Sequence, residues 1–83
     1  MTPEEKIVAF LVARFRASIR RSNLAFDEPL ISSGFVDSFG MLELIAFLED
    51  TFGVTIDPSQ HDLMEFETVN SIAALVANAP RKQ

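Results

Sequence analysis

The run Gly34-Phe35-Val36-Asp37-Ser38-Phe39 sets a serine at the mouth of an amphipathic stretch that continues to about Phe52. A hydroxyl in that position is open to chemical modification. The N-terminus of a helix presents unpaired backbone N–H groups and a partial positive charge, which favour a phosphate ester by about 0.3 to 1 kcal/mol at an exposed site. Gly34 and the loop around it keep the hydroxyl open, and Gly40 is predicted to leave little bulk beside it. Glycine inside a helix costs roughly 1 kcal/mol relative to alanine, so access explains it better than stability. Taken as an isolated pair, Asp37 and Ser38 are also ordinary helix caps.

Other chemistry finds little support in the chain. His61 is the only histidine, and a hydrolytic triad of Ser38, His61 and an acid such as Asp62 would need hydrogen-bond reach and an oxyanion site. One histidine among scattered acids shows no zinc spacing, and no calcium loop of the EF-hand pattern is present. The chain has no cysteine, which removes disulfides and thiolate metal sites and is compatible with a reducing cytoplasm. A working thiol would have to come from a cofactor.

The 83 residues suit one domain with a single modest core. No apolar run approaches the roughly 18 residues of a membrane span, and Glu4 and Glu5 do not fit a secretory signal. The expectation is a cytoplasmic protein without stable membrane insertion. Its net charge of −5 is unevenly spread. Lys6, Arg14, Arg16, Arg20 and Arg21 precede position 22, Arg81 and Lys82 end the chain, and the stretch between holds ten acids and no Lys or Arg. Such a field repels nucleic acid and attracts basic protein surfaces.

Four helices are predicted to position Ser38. Thr2-Pro3-Glu4-Glu5 combines a capping hydroxyl, a first-turn proline and a glutamate three residues after the cap, and Ile7, Val8, Leu11, Phe15 and Ile19 follow at helical spacing. The first helix is thus expected over about 3–20. A long loop over 21–37 carries the apolar anchors Leu24, Phe26, Leu30 and Ile31. The second helix spans about 38–52, with Met41, Leu44, Ile45, Leu48 and Phe52 as its core stripe and Gly53 as its C-terminal stop. Phe39 and Leu42 fall on a different face with Glu43, Ala46 and Glu49, where apolar residues alternate with acids as on a docking surface. Asp57-Pro58 begins a short third helix over about 58–63, and Thr68 caps a fourth over about 69–78 whose core face is Val69, Ile72, Leu75 and Val76.

The segment from Leu30 to Val76 resembles acyl carrier proteins. Leu30 to Gly34, Asp37-Ser38, Glu43-Leu44, Leu48-Glu49, Phe52-Gly53-Val54, Phe66 and Thr68-Val69 stand in similar order and spacing. The resemblance implies an all-α small four-helix bundle with a short third helix and a long loop between helices one and two. It implies a non-catalytic protein whose Ser38 carries 4′-phosphopantetheine derived from coenzyme A, with Asp37 engaging the phosphopantetheinyl transferase. Phe39, Leu42, Glu43, Ala46, Glu49 and Asp50 would meet partner enzymes, and Ile56 and Phe66 would flank the arm or its cargo. The implied partners are that transferase, an acyl or aminoacyl ligase and downstream acyl-transfer or synthase enzymes, met by a monomeric shuttle.

Two departures narrow the type. Phe39 stands where carriers of fatty acid synthesis usually have leucine, and Ala46 replaces a larger apolar residue. Asp37 stands where peptidyl carrier domains usually have Gly or His. A free-standing carrier for a specialised acyl group or an amino acid, as in D-alanyl and aminoacyl carrier proteins, fits best. The alternative is a small acidic helical adaptor that binds a basic partner with Ser38 unmodified.

Overall fold

Thr2 opens the first helix with a reciprocal cap: its hydroxyl accepts from the Glu5 amide while the Glu5 carboxylate accepts from the Thr2 amide. The computed structural model describes residues 1–82 and shows α1 over Pro3–Arg14. The single helix expected to about Arg20 is broken. Phe15 leaves helical geometry at φ −112° and ψ 38°, and α2 resumes over Arg16–Ile19 before Arg20 turns left-handed at φ 57°. No proline or glycine lies at the break. Tertiary packing accompanies it, since the Phe15 ring lies against Gly40 near the start of the helix that begins at Ser38.

From Arg20 to Asp37 the chain runs as an irregular loop held by buried apolar side chains and by one carboxylate. Leu24, Leu30 and Val36 are buried, Ile31 is half-buried and Phe26 stays exposed, so two of the four expected anchors seat fully. Glu67, only 9% exposed, accepts from the Ile31 amide at 2.7 Å, the Ser32 amide at 3.1 Å and the Ser32 hydroxyl. Its backbone carbonyl takes the Leu30 amide at 2.7 Å. A buried carboxylate without such donors would be costly; with them it becomes the loop's anchor.

Helix α3 spans Ser38–Phe52, as predicted, and ends at Gly53 with φ 64°. Met41, Leu44, Ile45 and Leu48 are buried, whereas Phe52 is only half-buried. It meets Phe47 edge-on, and Phe47 stacks on Phe10 with centroids 4.1 Å apart, so these rings line the α1–α3 seam. The expected third helix divides into two 3-10 turns, Pro58–Gln60 and Leu63–Phe66. Asp57 caps the first and Asp62 the second, and two caps five residues apart each begin a turn rather than share a helix. Helix α4, Val69–Asn78, is capped by Thr68 and buries Val69, Ile72, Leu75 and Val76 against α1 and the second turn. The tail returns to pair Arg81 with Val54, with the Lys82 amide donating to the Gly53 carbonyl at 2.9 Å.

Gly40 is buried, and the reason differs from the expected one. A Cβ there would lie 2.5 Å and 2.9 Å from atoms of the Phe15 ring and 3.2 Å from an Asp37 carboxylate oxygen. The missing side chain makes room for Phe15 rather than for access to Ser38.

Two outcomes follow from this packing. Gly40→Ala is expected to destabilise by about 1 kcal/mol, because overpacking of about 1 to 3 kcal/mol outweighs the helix-propensity gain. In a Phe15→Ala background the same change should become neutral or stabilising; additive effects in a denaturant double-mutant cycle would refute the contact. For Glu67, the Ser32 hydroxyl and amide and the Ile31 and Leu30 backbone hold its pKa below the ordinary 4.5. A depressed carboxylate contributes stability that is complete above that value and is lost as pH falls through the folded pKa. Glu67→Gln should therefore lower the melting temperature at pH 7 and make its decline below pH 4.5 shallower; parallel curves would exclude this role.

Candidate functional site

The position of Ser38 depends on which residue ends the loop. Asp37 is extended at φ −94° and ψ −176°, and its carboxylate accepts the Gly40 amide at 2.7 Å. Asp37 is therefore the cap, and Ser38 is the first helical residue. Its side chain is exposed, and among the described residues no hydrogen bond engages its hydroxyl. The Ser38 and Phe39 amides belong to the unsatisfied first turn of a 15-residue helix and favour negative charge just outside it.

An apolar groove of about 370 Å³ begins at this serine. Ile31, Val36, Met41 and Leu63 line it together with Gly34, Asp37 and Ser38. Leu63 and the neighbouring Met64 are 57% and 62% exposed, and the sequence reading did not single them out as functional. A signal was available: in Asp62-Leu63-Met64-Glu65 a short capped turn carries two adjacent apolar residues that cannot both face inward.

The predicted docking residues divide by what they already touch. Phe39 and Leu42 are 68% and 61% exposed, large apolar side chains that the long loop leaves uncovered. Ala46 and Asp50 are exposed as well. Glu43 is held by Arg14 in a two-bond ion pair. Glu49 turns its carboxylate to the Ile56 amide at 2.9 Å and so fastens the segment after α3. Ile56 and Phe66 are 4% and 3% exposed and belong to the core, and neither lines the groove at Ser38. His61 pairs with Glu65 at 3.2 Å and lies edge-on to Phe66, and among the described residues no hydrogen bond joins it to Ser38.

An exposed, unengaged hydroxyl, a helix N-terminus behind it and an apolar groove beside it fit a covalently attached phosphate-linked arm. Comparison with known proteins agrees. The family described as phosphopantetheine attachment site matches residues 10–76. The D-alanyl carrier protein of Streptococcus uberis is 36% identical over 72 residues, 87% of each chain. That of Bacillus velezensis is 37% identical over 46 residues, 55% of this chain, and there the chain spans 59% of its relative's length. Among solved structures, apo KstB-PCP, a peptidyl carrier protein, superposes with a TM-score of 0.70 at 31% identity, covering 94% of this chain and 88% of that one. Because the family match runs from the middle of α1 through most of α4, taking in Ser38 and every element around it, this chain belongs to the phosphopantetheine-attachment family, carrier proteins that hold 4′-phosphopantetheine covalently and catalyse no reaction themselves.

Proposed function

We propose that Ser38 carries the 4′-phosphopantetheine arm and that the protein shuttles a small acyl group, most specifically an aminoacyl group of the D-alanyl kind, between a ligase and an acceptor enzyme. The observation that carries this reading is the division of labour at the helix start: Asp37 takes the cap and leaves the Ser38 hydroxyl exposed and unengaged. Transfer from coenzyme A joins the Ser38 oxygen to phosphorus and releases the nucleotide portion with the hydroxyl proton. The first-turn amides of α3 then face the phosphodiester charge. When bound, the arm supplies a thiol whose thioester activates the carboxyl group and keeps it at high effective concentration.

Leu44, Leu48, Leu11 and Ile72 fill the centre of the bundle with no exposed surface, and the groove beside Ser38 measures about 370 Å³. A filled centre suits a short acyl or aminoacyl group lying outside the core. Likeness to D-alanyl carrier proteins supports the same class. Work with coenzyme A places the protein's activity in the cytoplasm, where its partners would be a phosphopantetheinyl transferase, an aminoacyl or acyl ligase and a downstream transfer enzyme. Phe39, Leu42, Ala46 and Asp50 form the exposed docking surface, with Asp37 beside the transferase. Contacts of this mixed apolar and acidic kind are steered electrostatically and released quickly, as a shuttle requires.

Intact mass after incubation with coenzyme A and a broad-specificity phosphopantetheinyl transferase tests the site. One phosphopantetheinyl group should be gained by the parent and none by Ser38→Ala; a gain by the variant would place the site elsewhere, and no gain by folded parent would turn the reading to an adaptor. Subsequent loading should proceed with D-alanine and a D-alanyl ligase; acceptance of medium-chain acyl groups alone would overturn the aminoacyl assignment. The docking face makes a separate demand. Phe39→Ser and Leu42→Ser should raise the transferase KM while changing stability by less than about 0.5 kcal/mol, as exposed substitutions do. Glu49→Ala, in contrast, should lower stability by about 1 kcal/mol by leaving the Ile56 amide without its acceptor, and an unchanged melting temperature would exclude that contact.

A further inference from the structure

Within the acidic side of α3 one carboxylate is already occupied by an arginine of the same chain. Arg14 Nε donates to Glu43 Oε2 at 2.7 Å and Nη2 donates to Oε1 at 2.6 Å while lying 2.6 Å from Oε2 as well, a two-bond fork that uses both carboxylate oxygens. Arg14 is the last residue of α1, immediately before the break at Phe15, and its guanidinium lies 5.6 Å from the Phe15 ring centroid. The break therefore aims both the ring toward Gly40 and the fork toward Glu43. Side-chain exposures of 47% for Arg14 and 30% for Glu43 leave the pair open to solvent and cheap to separate. Asp50, two turns further along α3, has no ion-pair partner among the described residues.

We propose that Arg14 is a specificity-determining residue of the docking surface: it occupies Glu43 in the free carrier, and a partner that uses this carboxylate has to displace the guanidinium. The inference rests on the reading of α3 as the docking face. Its consequence is selective. A partner arginine replaces one planar fork by another and recovers both hydrogen bonds, whereas a lysine supplies a point charge and recovers less. Basic partners whose cation does not reach Glu43 meet a surface whose charge there is already neutralised. Arg14 thus weakens indiscriminate attraction to the acidic side and favours partners that carry a guanidinium opposite Glu43.

Steady-state transferase kinetics at low salt, with coenzyme A at saturation, test the idea in Arg14→Gln, Arg14→Lys, Glu43→Gln, the Arg14→Gln/Glu43→Gln double variant and Arg16→Gln. The last makes the same charge change on the neighbouring turn without opening an ion pair among the described residues. Arg14→Gln should lower the carrier KM about two- to fivefold, the equilibrium worth of an exposed ion pair, with kcat unchanged. Arg14→Lys keeps the charge and loses the fork, and should lower KM by a smaller factor. In the Glu43→Gln background the Arg14→Gln effect should shrink to that of Arg16→Gln. Equal effects of Arg14→Gln and Arg16→Gln in the parent would reduce Arg14 to general charge and overturn the proposal, as would a raised KM, which would make Arg14 itself a partner contact. If Phe39→Ser and Leu42→Ser raise KM while Arg14→Gln behaves as Arg16→Gln, this inference alone falls; if none of them alters KM, the docking reading falls with it.

Discussion

The hydrogen bond from the Gly40 amide to the Asp37 carboxylate decides where α3 begins, and most of what surrounds Ser38 depends on that register. With the cap on Asp37, the serine is the first helical residue, pointing outward at the end of the helix that bears the partial positive charge. With the cap one residue later, the hydroxyl would be spent on a backbone amide. The Phe15 ring packs against the same turn, because it closes over Gly40.

A second regularity is that acids of similar appearance do different work. Glu67 is buried and ties the long loop to the start of α4. Glu49 holds the Ile56 amide, Glu28 pairs with Arg21, Glu43 with Arg14 and Asp37 caps α3. An unbroken run of acids without a Lys or Arg between Ser22 and Pro80 is thus only partly a solvated field. Several of its members replace the cross-links that a chain without cysteine cannot make. The two arginine pairs both draw their cation from the segment before position 22: Arg14–Glu43 ties α1 to α3, and Arg21–Glu28 closes a bend within the long loop.

Local periodicity was enough to recognise α3 and α4 with their ends, because each has a strong cap, an apolar stripe at i, i+3, i+4 and i+7, and a clear stop. The first helix was legible at Thr2 but not at its other end. Nothing local interrupts Pro3 to Arg20, and the break at Phe15 answers to a glycine 25 positions away in the chain. The short third helical segment is legible from Asp57-Pro58, and what local pattern does not show is its division: Asp62 starts a second capped turn that carries Leu63 and Met64 outward. The purpose of Gly40 likewise lies in a neighbour distant in the chain, the Phe15 ring.

For the site, the chemistry is legible in residue types and spacing alone: a serine after a capping acid at the head of an amphipathic helix, no cysteine, one isolated histidine and an apolar-acidic second face. These are properties of residue type and of a 3.6-residue repeat, and they survive in any packing that keeps the helix. Which of the expected docking residues are free is a matter of packing. Phe39 and Leu42 are left exposed while the long loop is tied to Glu67, Glu43 is engaged by the last residue of α1, and Ile56 and Phe66 are buried in the core. Contacts between residues distant in the chain depend on how elements cross, and no local pattern encodes that crossing.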